Sequence, residues 1–142
     1  MTSITTPLAS GATVHQDAWK PLRRWLRLDA LVTGANALAY LAAAPLLSGL
    51  LGPEPALLRS IGAFLAVFTV GVLLVARQVR PAQTPTAAVI VVNLVWTAAS
   101  VLVAVVGAGG LTGPGRAWAV AQALVVASFG IAQASALRST PR

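Results

Sequence analysis

The chain has 142 residues, of which 57% are hydrophobic and only 9% are charged, and its formal net charge is +7. Soluble domains carry charge on roughly a quarter of their residues, so this composition excludes an ordinary soluble domain and predicts an integral membrane protein of one domain. The chain has no cysteine, which excludes disulfides, thiolate metal sites and iron–sulfur clusters.

The only histidine, His15, lies in the polar N-terminal segment, so histidine-bound haem or zinc is not expected inside the membrane. We therefore expect no metal and no cofactor. The positive charge is explained without nucleic acid, because Lys and Arg collect in the cytoplasmic loops of membrane proteins. No nucleic-acid-binding motif accompanies it, and no nucleic-acid partner is predicted.

Residues 1–17 are rich in Thr, Ser, Ala and Gly and show no apolar periodicity, which predicts a disordered cytoplasmic tail. Residues 18–142 are predicted to form the membrane domain. In residues 18–28, Trp and Leu recur at helical spacing between Lys and Arg. This pattern is typical of an interfacial amphipathic segment, with indole rings at the depth of the lipid headgroups.

Four apolar segments follow, and they predict membrane spans at about 28–51, 57–76, 87–106 and 117–137. Pro45 removes a helical hydrogen bond, so the first helix should kink or end there, leaving 46–51 as a separate turn near the outer surface. The expected fold class is all-α and integral to the membrane: a four-transmembrane-helix bundle with an N-terminal interfacial amphipathic segment.

The distribution of basic residues predicts the orientation. Of the ten Lys and Arg residues, only Arg59 and Arg116 lie in the first and third loops between spans. The others lie in the N-terminal flank, the second loop and the C-terminal tail. The positive-inside rule therefore predicts a multi-pass protein of the cell inner (plasma) membrane with both termini cytoplasmic. The high content of Ala, Val and Arg suggests a bacterial coding bias.

The first span carries a polar face that a lipid-facing helix does not need. Its residues are spaced i, i+4, i+7 and i+11, which places them on one side of an α-helix; they are Asp29, Thr33, Asn36 and Tyr40. Unpaired polar groups are expensive in hydrocarbon. This face is therefore predicted to point into the protein interior.

Two further spans carry polar faces. Asn93, Trp96, Thr97 and Ser100 share one face of the third span, and Gln122, Phe129 and Gln133 share one face of the fourth. At a rise of about 1.5 Å per residue, the polar groups of the three spans overlap in depth. They predict a pocket in the cytoplasmic half of the bundle, lined by Asp29, Thr33, Asn36, Asn93, Thr97 and Gln133, with Trp96 and Tyr40 as its deeper wall.

Two interpretations of these residues stay open from sequence alone. Thr and amide side chains often only bridge membrane helices, through hydrogen bonds worth about 0.6 kcal/mol on average. Asp29 is either an interfacial carboxylate paired with Arg27, Arg77 or Arg80, or a partly buried acid that exchanges a proton.

The chain contains no catalytic triad, carboxylate pair or phosphate-binding loop. The first functional hypothesis is a non-catalytic protein that binds a lipophilic small molecule or a membrane-protein partner, a second copy included. The second is a membrane-embedded enzyme that isomerises or cyclises a prenyl- or polyketide-type substrate, with Asp29 as the catalytic acid. The third is a small proton-coupled exporter, because the chain is similar in size to four-span multidrug transporters that use one carboxylate in their first helix.

Overall fold

The computed structural model describes residues 18–141, and this range folds into helices joined by turns and loops. The helices are α1 (Lys20–Ala42), α2 (Ala44–Leu51), α3 (Pro55–Arg77), α4 (Gln83–Val106) and α5 (Gly113–Arg138), with a 3-10 turn at Ala108–Gly110. The all-α prediction is confirmed for the described residues. The tail predicted at 1–17 lies outside them.

Three of the helices, α3, α4 and α5, are each long and apolar enough to cross a membrane. Helices α1 and α2 meet that condition only together, and they are bent against each other by 97°. The described chain therefore has three to four candidate spans, as expected of a membrane protein. The predicted second, third and fourth spans lie within α3, α4 and α5, whereas the predicted first span, 28–51, is divided between two helices.

The break between α1 and α2 falls at Ala43, two residues before Pro45. In a continuous helix the ring of Pro45 would collide with a carbonyl of the preceding turn, and its nitrogen has no hydrogen to donate. Pro45 instead occupies the first turn of α2, where no intrahelical donor is needed. Gly52 follows the last residue of α2 and caps it. Its φ of 106° favours glycine, and a Cβ there would collide with the carbonyl oxygen of Gly110.

The basic beginning of α1 packs against protein. Leu22 and Leu26 are fully buried and Trp19 is nearly so, in a cluster that includes Val75 and Ala76 of α3. The segment predicted to be interfacial is thus continuous with α1, and its apolar face is covered by a neighbouring helix. Periodicity identifies an apolar face but does not say whether protein or lipid covers it; the interfacial depth of this segment stays a prediction.

The helices pack as two pairs. Helix α1 lies along α3 and α4 lies along α5, while α3 and α4 contact each other little although they are consecutive. Gly62 of α3 permits the first pair to approach closely, since a Cβ there would lie 3.0 Å from the Cβ of Tyr40. At the α2 end of the bundle, the Thr112 amide donates to the carbonyl of Leu51 at 3.0 Å, and its hydroxyl donates to that of Leu50 at 2.6 Å.

Candidate functional site

Asp29 is the centre of a buried polar cluster, here called the aspartate cluster: Asp29, Thr33, Asn93 and Gln133. Its carboxylate accepts hydrogen bonds from the Thr33 hydroxyl at 3.0 Å, from Asn93 Nδ2 at 2.7 Å and from Gln133 Nε2 at 2.8 Å. Asn93 Nδ2 also donates to Gln133 Oε1 at 3.3 Å. The cluster therefore joins α1, α4 and α5 at one level of the bundle.

All three donors to Asp29 are neutral groups. Within residues 18–141 no arginine forms an ion pair with the carboxylate, so the structure does not bring Asp29 together with Arg27, Arg77 or Arg80 as the interfacial interpretation requires. A buried carboxylate is tolerated when its oxygens are well hydrogen-bonded. The helices of the protein themselves provide these bonds.

Thr97 belongs to the edge of this region. Its hydroxyl donates to the backbone carbonyl of Asn93 at 2.9 Å and lies 3.5 Å from that of Ala123. A threonine that bonds to the carbonyl one turn earlier satisfies itself within its own helix. Thr97, predicted as a pocket residue, lies beside Asn93, and its side chain lines neither of the two cavities described below.

A second polar group, here called the tyrosine cluster, consists of Tyr40, Trp118 and Gln122. The Tyr40 oxygen accepts from Trp118 Nε1 at 2.8 Å and from Gln122 Nε2 at 2.6 Å. Tyr40 is only 6% exposed. The sequence predicts Tyr40 as a wall residue of the pocket but does not place Trp118 or Gln122 there. The i, i+4 spacing of Trp118 and Gln122, which puts them on one face of α5, is the sequence feature that could have identified them.

Between the two clusters lies a cavity of about 410 Å³, here called the main cavity. Most of its wall is apolar, and its rim includes the exposed side chains of Val32, Phe64 and Val125, so it opens onto the outer surface of the helices. The lining residues with hydrogen-bonding side chains are Thr33, Asn36, Tyr40, Asn93, Trp96, Trp118 and Gln122. Asp29 and Gln133 do not line it, because they lie behind Thr33 and Asn93.

Of the four residues on the predicted polar face of α1, only Asn36 joins neither cluster. It is half-buried and lines the main cavity, and its amide forms no hydrogen bond with any residue from 18 to 141. The pocket predicted from sequence is therefore divided in two. Four of its members pack against one another, and Asn36 faces open space further along α1.

Aromatic rings form the side of the main cavity that faces α3 and α4. The rings of Phe64 and Trp96 have centroids 5.9 Å apart and planes inclined by 11°, and Phe64 lies 6.4 Å from Phe68 at an inclination of 8°. These nearly parallel rings bridge the gap where α3 and α4 separate. Trp96, Tyr40, Trp118 and Gln122 also line a second cavity of about 380 Å³ toward the α2 end.

The main cavity contains no side chain of Asp, Glu, Lys, Arg or His. Within residues 18–141, no three His, Cys, Asp or Glu side chains lie close enough together to hold a metal ion. The chemistry offered to a bound molecule is thus apolar contact, aromatic surface and a few neutral hydrogen-bonding groups. No protein-family model, curated protein or solved structure matches the chain significantly, so its function is argued from this site alone.

Proposed function

We propose that the protein is a small four-span integral membrane protein that binds an uncharged lipophilic molecule in the main cavity. The single observation that carries this proposal is the half-buried amide of Asn36, which faces a mostly apolar cavity of about 410 Å³ without a partner among the described residues. Cavities of about 300–1,000 Å³ with few polar groups are typical of small-molecule sites. A polar group of a bound molecule would satisfy this amide.

In this proposal the bent pair α1–α2 crosses the membrane as one span, the first in the chain, and α3, α4 and α5 are the other three. The basic residues of α1 lie at the same end of the bundle as Arg77, Arg80 and Arg138, while Arg59 and Arg116 lie at the opposite end. This asymmetry supports an inner (plasma) membrane location of bacterial type with both termini in the cytoplasm. The first turns of α1 would then lie at the cytoplasmic surface.

Asp29 is assigned a structural role in this proposal. As a catalytic acid or a proton carrier, it would have to meet a substrate or exchange protons with water. Its oxygens instead accept three hydrogen bonds, and Thr33 and Asn93 separate it from the main cavity. This geometry favours ligand binding over the enzyme and exporter hypotheses.

A membrane-protein partner or a second copy stays a prediction. The large exposed side chains of the described helices are mostly Leu and Val, and the lipid bilayer alone is a sufficient partner for such a surface.

The test is mass spectrometry of lipophilic compounds that co-purify with the protein from its membrane. Ala121→Phe places a ring in the main cavity, and Ala98→Phe places the same ring on an exposed face of α4 away from both cavities. We expect the wild type and Ala98→Phe to retain a compound that Ala121→Phe loses. Identical compounds in all three folded proteins would refute the proposal.

A further inference from the structure

Both hydrogen bonds of the tyrosine cluster are accepted by one atom, the Tyr40 oxygen. Trp118 has only a donor, and it uses the Tyr40 oxygen. Gln122 Nε2 donates to the same oxygen, which leaves the hydroxyl hydrogen of Tyr40 without an acceptor among residues 18–141. If the Gln122 amide is turned over, its oxygen accepts from Tyr40 but its NH₂ group loses its acceptor. Either orientation leaves a donor without a partner.

With Gln122 oriented as in the structure, the donor without a partner is the Tyr40 hydroxyl, and it is buried where water is scarce. Tyr40 is 6% exposed, and it lines both cavities within the predicted membrane region. Buried polar groups in folded proteins are nearly always hydrogen-bonded, and hydrocarbon offers no substitute partner. An acceptor from a bound molecule would complete the cluster.

The surroundings restrict what that molecule can be. The lining of the main cavity has no basic side chain, so the negative charge of an anionic headgroup would not be neutralised there. The side-chain amide of Asn36 is a second donor without a partner among the described residues, one turn before Tyr40 on the same face of α1. The parallel rings of Phe64 and Trp96 present flat apolar surface to a planar body.

We propose that the ligand is a planar, uncharged lipophile with a carbonyl oxygen, and that the Tyr40 hydroxyl donates a hydrogen bond to that oxygen. This inference rests on the proposed function, because it names the ligand class of the same cavity. The two hydrogen bonds that Tyr40 accepts polarise its O–H group and make it a stronger donor. Asn36 Nδ2 is positioned as the second donor.

Fluorenone and fluorene test this assignment because they share one planar skeleton and differ in a single carbonyl group. Their dissociation constants are measured by calorimetry with the protein in the same detergent. The quantity compared is the ratio of the two constants in each protein, so that partition of the probes into micelles cancels. We expect the wild type to favour fluorenone about five- to tenfold more than Tyr40→Phe does, as one hydrogen bond implies.

Ala98→Phe, on an exposed face of α4 away from both cavities, is the control and should keep the preference for fluorenone. Gln122→Met is a second test variant, which removes the other polar side chain bonded to the Tyr40 oxygen. Loss of the preference in Gln122→Met but not in Tyr40→Phe would overturn the assignment to Tyr40. Equal preference for fluorenone in the wild type and Tyr40→Phe would overturn the hydrogen bond from Tyr40, and no preference in either would overturn the carbonyl inference; both results leave ligand binding intact. If neither probe binds and Ala121→Phe changes nothing, the proposed function fails as well.

Discussion

Two replacements of Asp29, by Leu and by Asn, separate the stability lost with its charge from the stability lost with its hydrogen bonds. In Asp29→Leu, the donors of Thr33, Asn93 and Gln133 lose their acceptor inside the bundle. A buried donor without an acceptor costs about 1–3 kcal/mol, and a hydrogen bond between membrane helices averages about 0.6 kcal/mol. At about 0.6–1 kcal/mol per donor, three donors predict a destabilisation of about 2–3 kcal/mol.

Asp29→Asn should be far milder. The amide oxygen can keep the two bonds from Asn93 and Gln133, and its nitrogen can donate to the Thr33 hydroxyl, which both donates and accepts. We expect a loss below about 1 kcal/mol, because only the charge assistance disappears. The measurement is the free energy of unfolding in mixed micelles with increasing denaturing detergent, together with the amount of co-purified ligand.

The exposed residue Ser128, whose hydroxyl bonds only to the carbonyl of Val125 in its own helix, provides the control Ser128→Ala, for which no change is expected. If Asp29→Asn unfolds as readily as Asp29→Leu, the charge itself stabilises the fold and the reasoning is wrong. If Asp29→Asn is stable but no longer carries ligand, Asp29 takes part in function, and the enzyme and exporter hypotheses regain support.

Three further predictions concern the rest of the chain. Leu22→Ala should destabilise the protein by about 2–5 kcal/mol and Leu31→Ala much less, since Leu22 is fully buried and Leu31 is 68% exposed; equal unfolding midpoints would mean that lipid covers the start of α1. Gly52→Ala should lower the unfolding midpoint, because it meets Gly110 at a positive φ, whereas Gly49→Ala, with open space around it, should preserve or raise the midpoint. Because the chain lacks cysteine, single cysteines at Ala82 and Ala108 report topology: an impermeant thiol reagent applied to intact cells should label only the second, and the reverse pattern would invert the orientation.

The sequence predicts well what depends on helical periodicity. The i, i+4 spacing of Asp29 and Thr33 predicts a shared helix face, and in the structure Asn93 and Gln133, from the polar faces of the third and fourth spans, lie against Asp29. Asn36 lies on the same face of α1 yet meets a cavity. Periodicity shows which face of a helix points inward, but it does not show how far away the next helix lies at each turn.

For Asp29 the sequence left two interpretations open, an interfacial ion pair and a partly buried acid. Arginines close in the chain favour an ion pair, but in the structure amide groups on α4 and α5, more than sixty residues away, take that place. The tyrosine cluster was missed for a similar reason, because its partners Trp118 and Gln122 are polar and aromatic residues that an ordinary membrane helix also contains. Such pairings depend on the packing of helices, which a single sequence does not specify.

The weak contact between α3 and α4 has a consequence for how the chain is assembled. Their connection, residues 78–82, joins two helices that each pack mainly against another partner. We therefore expect the covalent link between α3 and α4 to contribute little to the stability of the bundle beyond keeping the two helix pairs close together. Two separately expressed fragments, residues 1–80 and 81–142, should therefore find each other in the bilayer and reconstitute the protein, guided by the bonds of Asp29 and Tyr40 across the division.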